Sequence, residues 1–367
     1  MESKYIIKKD IQLQAEYYYE LTVLAMDIYN KYKLRSNIDE KSDADGFQTF
    51  IYSIFIFDQC RFIYDVLEFY KIYFKYEYTQ IITFLGDKYY HFIKKIRNNM
   101  HLYNKRKSYK NKANSIINQE LEKFDMLEED IFYFLRNDIA VYYYADDNSN
   151  ILLGSNYFYY HYTKEVDLSG EEIKELSYKV ISIIIKIADV LIENHFLVGD
   201  INYNISLYDR KSSEILSKKD IDKFTNFRLL LCLTQAGGCK ILFSKILNKK
   251  IIYQSYENIW FFTQYLSIKY DEIFDNIKNL LRYSESKEIL RRIFNNSNFI
   301  TNDSYKKIIS KLRNTVHYNC DEIIEGKNIC DSFLTSENLF IDDLKNIFKY
   351  MEHNLDELIN VLQYLDE

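Results

Sequence analysis

The sequence predicts an all-α protein made of two tandem helical bundles that form a pseudo-dimer, with a small β-hairpin inserted near residues 140–163. Three observations support this fold class. Proline is absent and glycine occurs only 8 times in 367 residues, so few positions interrupt a helix. Apolar residues recur at helical spacing along most of the chain. Stretches of the first half also resemble stretches of the second half, as an internal duplication would produce.

Apolar periodicity predicts helices in both halves of the chain. The predicted ranges are 12–33, 47–75, 79–103 and 116–137, followed by 171–196, 219–247, 256–282, 304–318 and 341–365. Small polar residues between positions 35 and 46 predict a loop. Dense aromatic residues on both sides of an Asp/Asn/Ser turn predict the hairpin. The apolar run 180–192 contains Lys186 and Asp189 and is shorter than a membrane span, so it predicts a buried core helix.

Composition excludes several classes of function. The 48 basic and 54 acidic residues give a net charge of −6, so any nucleic-acid site must be a local patch rather than a global field. Five cysteines without CxxC spacing predict neither a disulfide framework nor a zinc site. We therefore expect no metal, no cofactor and a reducing, cytoplasmic location. The N-terminal residues lack the apolar core of a signal peptide, so no membrane association is expected.

The best candidate for chemistry is a short polar stretch that contains Arg313, Asn314 and His317. If the predicted helix 304–318 is regular, Arg313 and His317 lie one turn apart on the same face. A permanent cation beside a group that titrates near neutral pH suits work on a phosphate. An Arg/His pair on a helix is also common on a solvated face or at a helix end. The two interpretations stay open at this point.

A second, partial copy of this stretch favours the functional interpretation. Arg136 and Asn137 precede Arg313 and Asn314 by about 180 residues, the period expected of two duplicated domains. A Cys-Arg pair at Cys60 has a Cys-Lys counterpart at Cys239 with a similar offset. The division predicted from this repeat places one domain at residues 1–165 and the other at residues 166–367.

An Arg-Asn pair followed by His in an all-α domain resembles the HEPN superfamily (higher eukaryote and prokaryote nucleotide-binding domains). Members of that family commonly carry Arg, a polar residue such as Asn, and His after four to six intervening positions. Many are metal-independent ribonucleases whose two motifs meet at the interface of a dimer or of tandem domains. The resemblance assigns Arg313, Asn314 and His317 to the motif of the second half, and Arg136 and Asn137 to that of the first.

The resemblance implies a function and a set of partners. It implies endonucleolytic cleavage of RNA through attack by the 2′-hydroxyl, in a toxin or antiphage defence system that acts by abortive infection. His317 would transfer the proton, the arginines would clamp the phosphate, and the asparagines would fix the backbone or the ribose. RNA is the implied substrate, and a regulatory protein such as an antitoxin, or a second copy of the chain, is the implied partner.

Two departures from the family pattern support a rival hypothesis. Only three residues separate Arg313 from His317, and Tyr142 stands where the first half would carry its histidine. Tyrosine has a pKa near 10 and is a poor general base at pH 7, although it can donate a hydrogen bond. The rival hypothesis is a catalytically inactive helical scaffold that binds RNA, a nucleotide or a protein partner.

An alternative motif occurs earlier in the chain. Arg97, Asn98 and His101 repeat the Arg-Asn-x-x-His spacing and form an alternative catalytic set together with Tyr142. The most basic stretch of the chain adjoins them and is the predicted RNA-binding surface. Its members are Lys94, Lys95, Lys105, Arg106, Lys107, Tyr109 and Lys110. Lysines that contact phosphate and a tyrosine that stacks on bases suit single-stranded RNA, whereas a solvated lysine-rich loop would have the same composition.

Overall fold

The computed structural model describes residues 3–36, 41–101, 141–146, 149–155, 170–189, 206–210, 221–243, 252–295, 305–315, 318 and 320–363. The fold is predominantly α-helical. The helices are α1 Ser3–Ser36, α2 Lys41–Tyr73, α3 Lys75–His101, α4 Gly170–Ala188, α5 Lys223–Ile241, α6 Tyr256–Tyr283, α7 Lys287–Ile293, α8 Lys306–Asn314, α9 Ile329–Glu337 and α10 Ile341–Gln363. The strands are β1 Val141–Asp146, β2 Ser149–Ser155 and β3 Ser206–Arg210.

The first group of helices consists of α1, α2, α3 and α4, which pack against one another. Helix α4 buries Val180, Ile183, Ile184 and Ile187, residues spaced three or four apart as on one face of a helix. Among the described residues, no helix is long and apolar enough to cross a membrane. Helix α4 follows the predicted division at residues 165/166 but packs against the helices before it. The position of that division stays a prediction.

The second group consists of α5, α6, α8 and α10, with α6 at its centre. Helix α6 is capped by Ser255, whose hydroxyl accepts the N–H of Asn258 at 3.1 Å and so satisfies a backbone donor of the first turn. Most of its 28 residues are buried, because α6 contacts the first group on its other side. Its N-terminal half carries apolar residues on successive faces, as the run Trp260, Phe261 and Phe262 shows.

One continuous apolar core joins the two groups. Tyr17 of α1 stacks on Phe261 of α6 with ring centroids 4.3 Å apart. Its hydroxyl donates to the Asn258 side-chain oxygen at 2.6 Å, which satisfies a buried polar group. Tyr18 meets Phe261 edge to face on the same helix pair. The first two helices of the chain therefore cover one face of α6.

The three strands form an antiparallel sheet in the order β2-β1-β3. Strands β1 and β2 lie within residues 140–163, and Tyr142 of β1 pairs with Gly154 and, on the other side, with Asp209. Strand β3 was not predicted. Its sequence, Ser-Leu-Tyr-Asp-Arg, has too few apolar positions for alternation to show, and its pairing with β1 is a long-range contact.

Several predicted boundaries are wrong. Helix α2 begins at Lys41, so residues 41–46 of the predicted loop are helical. The short helices α7 and α9 were missed. Helix α9 is capped by Asn328, whose side-chain oxygen accepts the Asp331 N–H at 2.7 Å, and it ends at Asn338 in the left-handed conformation. Polar caps define a helix as short as this one, and apolar periodicity over nine residues is too brief to predict it.

Candidate functional site

Arg313 lies on α8, whose buried face is formed by Ile309 and Leu312. The Arg313 guanidinium donates to a carboxylate oxygen of Asp271 on α6. The other carboxylate oxygen of Asp271 accepts the Ser310 hydroxyl at 2.8 Å. The Arg313 side chain is 29% exposed and that of Asp271 is 5% exposed. The arginine of the motif is therefore fixed in place by the central helix of its own group.

Two further carboxylates of α6 act on the same guanidinium. Burial raises the pKa of Glu272 and the pKa of Asp275, and Arg313 opposes both shifts. Arg313 is thus ion-paired with Asp271 and lies within electrostatic range of two further carboxylates on the same helix. Because guanidinium has five N–H donors, its ion pair with Asp271 leaves donors for a phosphate, although the net positive field at this point is reduced.

Helix α8 ends at Asn314, so the predicted helix through residue 318 is wrong. The Thr315 N–H reaches back to the Lys311 carbonyl, and the Thr315 hydroxyl bonds the same carbonyl at 3.2 Å. Such bonds from a threonine side chain compete with continuation of the helix. Asn314 is exposed at this end. The described helix ends before His317, which lies outside the described residues, so the placement of Arg313 and His317 on one face stays a prediction.

Tyr318, the residue after His317, is anchored in the first group of helices. Its hydroxyl donates to the Gln14 side-chain oxygen of α1 at 3.1 Å. Its ring meets Phe69 of α2 with centroids 5.7 Å apart. The residue is buried, and burial raises the pKa of its hydroxyl well above the usual range. The motif stretch thus begins on the second group of helices and ends in contact with the first.

A buried charge cluster lies beside this stretch, between the two groups of helices. It consists of Asp58 and Arg61 of α2 and Lys269 and Glu272 of α6. The Lys269 ammonium lies 2.9 Å from Asp58, and the Arg61 guanidinium lies 3.7 Å from Glu272. The Tyr265 hydroxyl donates to Asp58 at 3.0 Å. Each charge has an opposite charge across the interface, which offsets part of the cost of removing it from water.

The alternative motif on α3 lies near the same interface. The Arg97 guanidinium is 5.2 Å from the centroid of the Tyr64 ring, within range of a cation–π contact. Its charge also acts on Asp65 of α2. Burial raises the pKa of Asp65 to about 6, while Arg61 and Arg97 oppose that rise. Asp65 acts in turn on Tyr318. Arg97 and the end of the C-terminal motif therefore lie within electrostatic range of the same carboxylate.

The remaining predicted site residues divide into two sets. Asn98 and Lys94 are exposed on α3, Lys95 is half-buried, and His101 is the last residue of that helix. The others lie outside the described residues, namely Arg136, Asn137, Lys105, Arg106, Lys107, Tyr109 and Lys110. The proposed meeting of Arg136 with Arg313 stays a prediction.

Sequence reasoning missed Asp271, Asp65 and Tyr318. Charged residues that interrupt an otherwise apolar helix, such as those at 269, 271, 272 and 275 in α6, are a signal that could have indicated buried ion pairs. Asp65 interrupts the apolar pattern of α2 in the same way. No such signal marks Tyr318, because tyrosine is common throughout this chain.

These features define a helical protein in which a conspicuous Arg-Asn stretch spans the contact between two groups of helices. Comparison of the chain with family models, with curated proteins and with solved structures found no match.

Proposed function

We propose that this protein is a metal-independent endoribonuclease made of two HEPN-like halves that form a pseudo-dimer, with the strand pair 141–155 as an insertion. A role in a toxin or antiphage defence system follows from the same resemblance. One observation carries the proposal: the stretch after Arg313 passes from a contact on α6 to the Tyr318 anchor on α1 and α2. A composite site requires a motif at the contact between halves.

The chemistry requires only groups that the chain supplies. The 2′-oxygen of a ribose attacks the adjacent phosphorus, the bond from phosphorus to the 5′-oxygen of the next nucleotide breaks, and a 2′,3′-cyclic phosphate and a 5′-hydroxyl result. In the proposal His317 exchanges protons with the attacking or departing oxygen, and Arg313 binds the non-bridging oxygens. Asn314, which is exposed, is available to the ribose or backbone. DNA lacks the nucleophile.

The first half would supply the second arginine. Arg136 with Asn137 holds this place in the repeat, and Arg97 with Asn98 and His101 is the alternative. The position of Arg97 favours it as a participant, because it lies over the Tyr64 ring, next to Asp65, and both Arg97 and Tyr318 are within electrostatic range of Asp65. A cation placed opposite Arg313 would complete a two-sided clamp on one phosphate.

The second candidate function is an inactive scaffold that binds RNA, a nucleotide or a protein. The ion pair with Asp271 favours it, because an arginine held by a buried carboxylate of α6 is already well placed for a purely structural role. The two candidates differ in whether Arg313 has N–H donors directed at a ligand.

The test is incubation of the full chain with an unstructured RNA in EDTA. Wild type is compared with His317→Ala, Arg313→Lys, Arg97→Ala and Arg136→Ala. Loss of a general acid–base group should slow cleavage by about 100-fold or more. Arg313→Lys keeps a cation for Asp271 but loses the fork geometry, so it separates catalysis from folding. An RNA with 2′-deoxyribose at the cleaved position is the substrate control. Equal cleavage by all variants contradicts the proposal at these residues.

A further inference from the structure

An exposed aromatic corner lies where α2 meets α3, next to the N-terminal end of α1. It is formed by Tyr5, Ile72, Tyr73 and Tyr76. These residues are 50%, 66%, 38% and 73% exposed, whereas large apolar side chains in the core are buried. We name this surface the aromatic corner. Tyr5 belongs to it because its ring meets Phe74, the residue between α2 and α3, with centroids 5.5 Å apart.

The aromatic corner adjoins the segment that follows the motif. The Tyr73 hydroxyl lies within electrostatic range of the Cys320 thiol, two residues after the buried Tyr318. Phe69 touches both Tyr318 and Tyr73, with ring centroids 5.7 and 4.9 Å away. A short series of aromatic contacts thus runs from the buried end of the motif stretch to the solvent-exposed tyrosines.

The charges around the aromatic corner are mainly positive. Lys71 and Lys75 are exposed next to Ile72 and Tyr76, and Lys9 is exposed on α1. Glu77, the adjacent carboxylate, is paired with Lys8 at 2.6 Å. Asp321 near Tyr73 and the exposed Glu68, one helical turn before Ile72, are opposing carboxylates. In a chain with a net charge of −6, this is a local basic patch with tyrosines between its lysines.

We propose that the aromatic corner is a stacking platform for single-stranded RNA, on which bases lie against Tyr73 and Tyr76 while Lys71 and Lys75 contact phosphates. This inference rests on the proposed ribonuclease function and names where its substrate strand lies. Tyrosine rings stack on bases of any sequence, and lysines follow the backbone without reading sequence. The strand would reach the motif stretch past Cys320.

This platform differs from the basic run that the sequence indicated. Lys94 and Lys95 lie toward the opposite end of α3, at most about 30 Å from Lys75 along a helix that rises 1.5 Å per residue. Gly86, with φ of 76°, interrupts the helix between them. The two surfaces can therefore be tested by separate substitutions.

The test measures binding of a labelled, unstructured RNA by fluorescence anisotropy in the full chain carrying His317→Ala, so that the RNA stays intact. Adding Tyr73→Leu with Tyr76→Leu should weaken binding about tenfold or more, because leucine keeps apolar bulk but has no ring to stack. Tyr73→Phe with Tyr76→Phe should bind like the parent. Lys71→Gln with Lys75→Gln should reduce the slope of log affinity against log salt concentration by about 1.4, because each phosphate contact on a single strand contributes about 0.7.

The chain offers a matched control. Tyr283 is 38% exposed, as is Tyr73, and Tyr178 is 67% exposed, close to Tyr76. Changing both to leucine should leave RNA binding unchanged. Single-stranded DNA should bind the platform as RNA does, since stacking does not need the 2′-hydroxyl. Circular dichroism melts of each variant confirm that the fold is intact.

The outcomes separate the two proposals. If RNA binding depends on Tyr73 and Tyr76 but wild type does not cleave RNA, the ribonuclease proposal is wrong and the stacking platform is supported. Cleavage that depends on the motif, with unchanged RNA affinity in the leucine pair, overturns the platform. A parent that binds no RNA also overturns it, and a protein partner then becomes the occupant of the apolar residues. RNA affinity that is unchanged by Tyr73→Leu with Tyr76→Leu likewise contradicts the stacking platform.

Discussion

Arg313 and Arg97 occupy the same place in two copies of an Arg-Asn-x-x-His stretch, yet their surroundings differ. Arg313 is ion-paired to a buried carboxylate that is itself held by Ser310. Arg97 lies over the Tyr64 ring, and its Nε has no hydrogen-bond partner within the described part of the chain. The first arginine is locked by its own group of helices, whereas the second is held by a weaker and less directional contact.

The difference teaches that sequence spacing does not determine the geometry of a motif. Helix α3 continues to His101, so positions 97 and 101 are one helical turn apart. Helix α8 ends at Asn314, three residues before His317. The alternative stretch therefore lies on one continuous helix, whereas the described helix of the C-terminal stretch ends after its Arg-Asn pair.

The largest expected effect is on Arg313. Arg313→Ala leaves the buried Asp271 carboxylate without its charge partner, which should lower the free energy of unfolding by about 3 kcal/mol. Chemical denaturation measures the loss. Asp271→Asn in the Arg313→Ala background should recover much of it, because the unpaired charge is then removed. No recovery in the double variant would show that Arg313 contributes mainly through packing.

The pH dependence of stability comes next. Burial raises the pKa of Asp65 from 3.8 to about 6, and that of Asp10 likewise to about 6. Each carboxyl binds its proton more tightly in the folded chain, so this stabilisation is complete below about pH 4 and is lost as pH rises through 6. The free energy of unfolding of Asp65→Asn, relative to that of wild type, should therefore increase by about 2 kcal/mol from pH 4 to pH 7.

Denaturation curves of wild type and Asp65→Asn at matched pH values check this. The comparison between the two proteins is needed because Asp222 titrates in the opposite sense. Hydrogen bonds from Thr225, Ser286 and Ser284 outweigh partial burial and lower the pKa of Asp222, so its contribution grows as pH rises. Parallel pH curves for wild type and the variant would mean that Asp65 ionises normally.

A smaller effect is expected at Arg97. Arg97→Ala removes a cation–π contact and one of two cations that favour ionised Asp65. It should therefore lower the free energy of unfolding by about 1 kcal/mol at neutral pH. The same change should move the pKa of Asp65 higher, which NMR titration of the side chain can follow. A cost as large as that of Arg313→Ala would remove the contrast between the two arginines.

The sequence predicted the long helices well and the irregular segments poorly. Periodic apolar residues predicted helices that the structure places at α6 and α10 with the same first residue, because these helices bury a wide face. Local capping, as at Thr315 and Asn328, decides the ends and the short helices, and it depends on single side chains. Asp271 and Asp65 acquire their importance from partners on other elements, which spacing in one stretch does not encode.

The smallest effect on stability is expected at the two asparagines. Their replacement also separates stability from function most clearly. Asn314 and Asn98 are both exposed, so replacing either with alanine should change the free energy of unfolding by about 0.5 kcal/mol or less. If Asn314 fixes the ribose or the backbone of the substrate, Asn314→Ala should slow RNA cleavage about tenfold or more, because the lost hydrogen bond forms with a charged or reacting group.

Asn98→Ala serves as the matched comparison, since it removes the same side chain from the same motif position. Equal slowing by both changes would place α3 in the site beside α8, and slowing by Asn98→Ala alone would assign the chemistry to the stretch with regular geometry. No slowing by either change would leave the asparagines as helix-end residues and favour the scaffold.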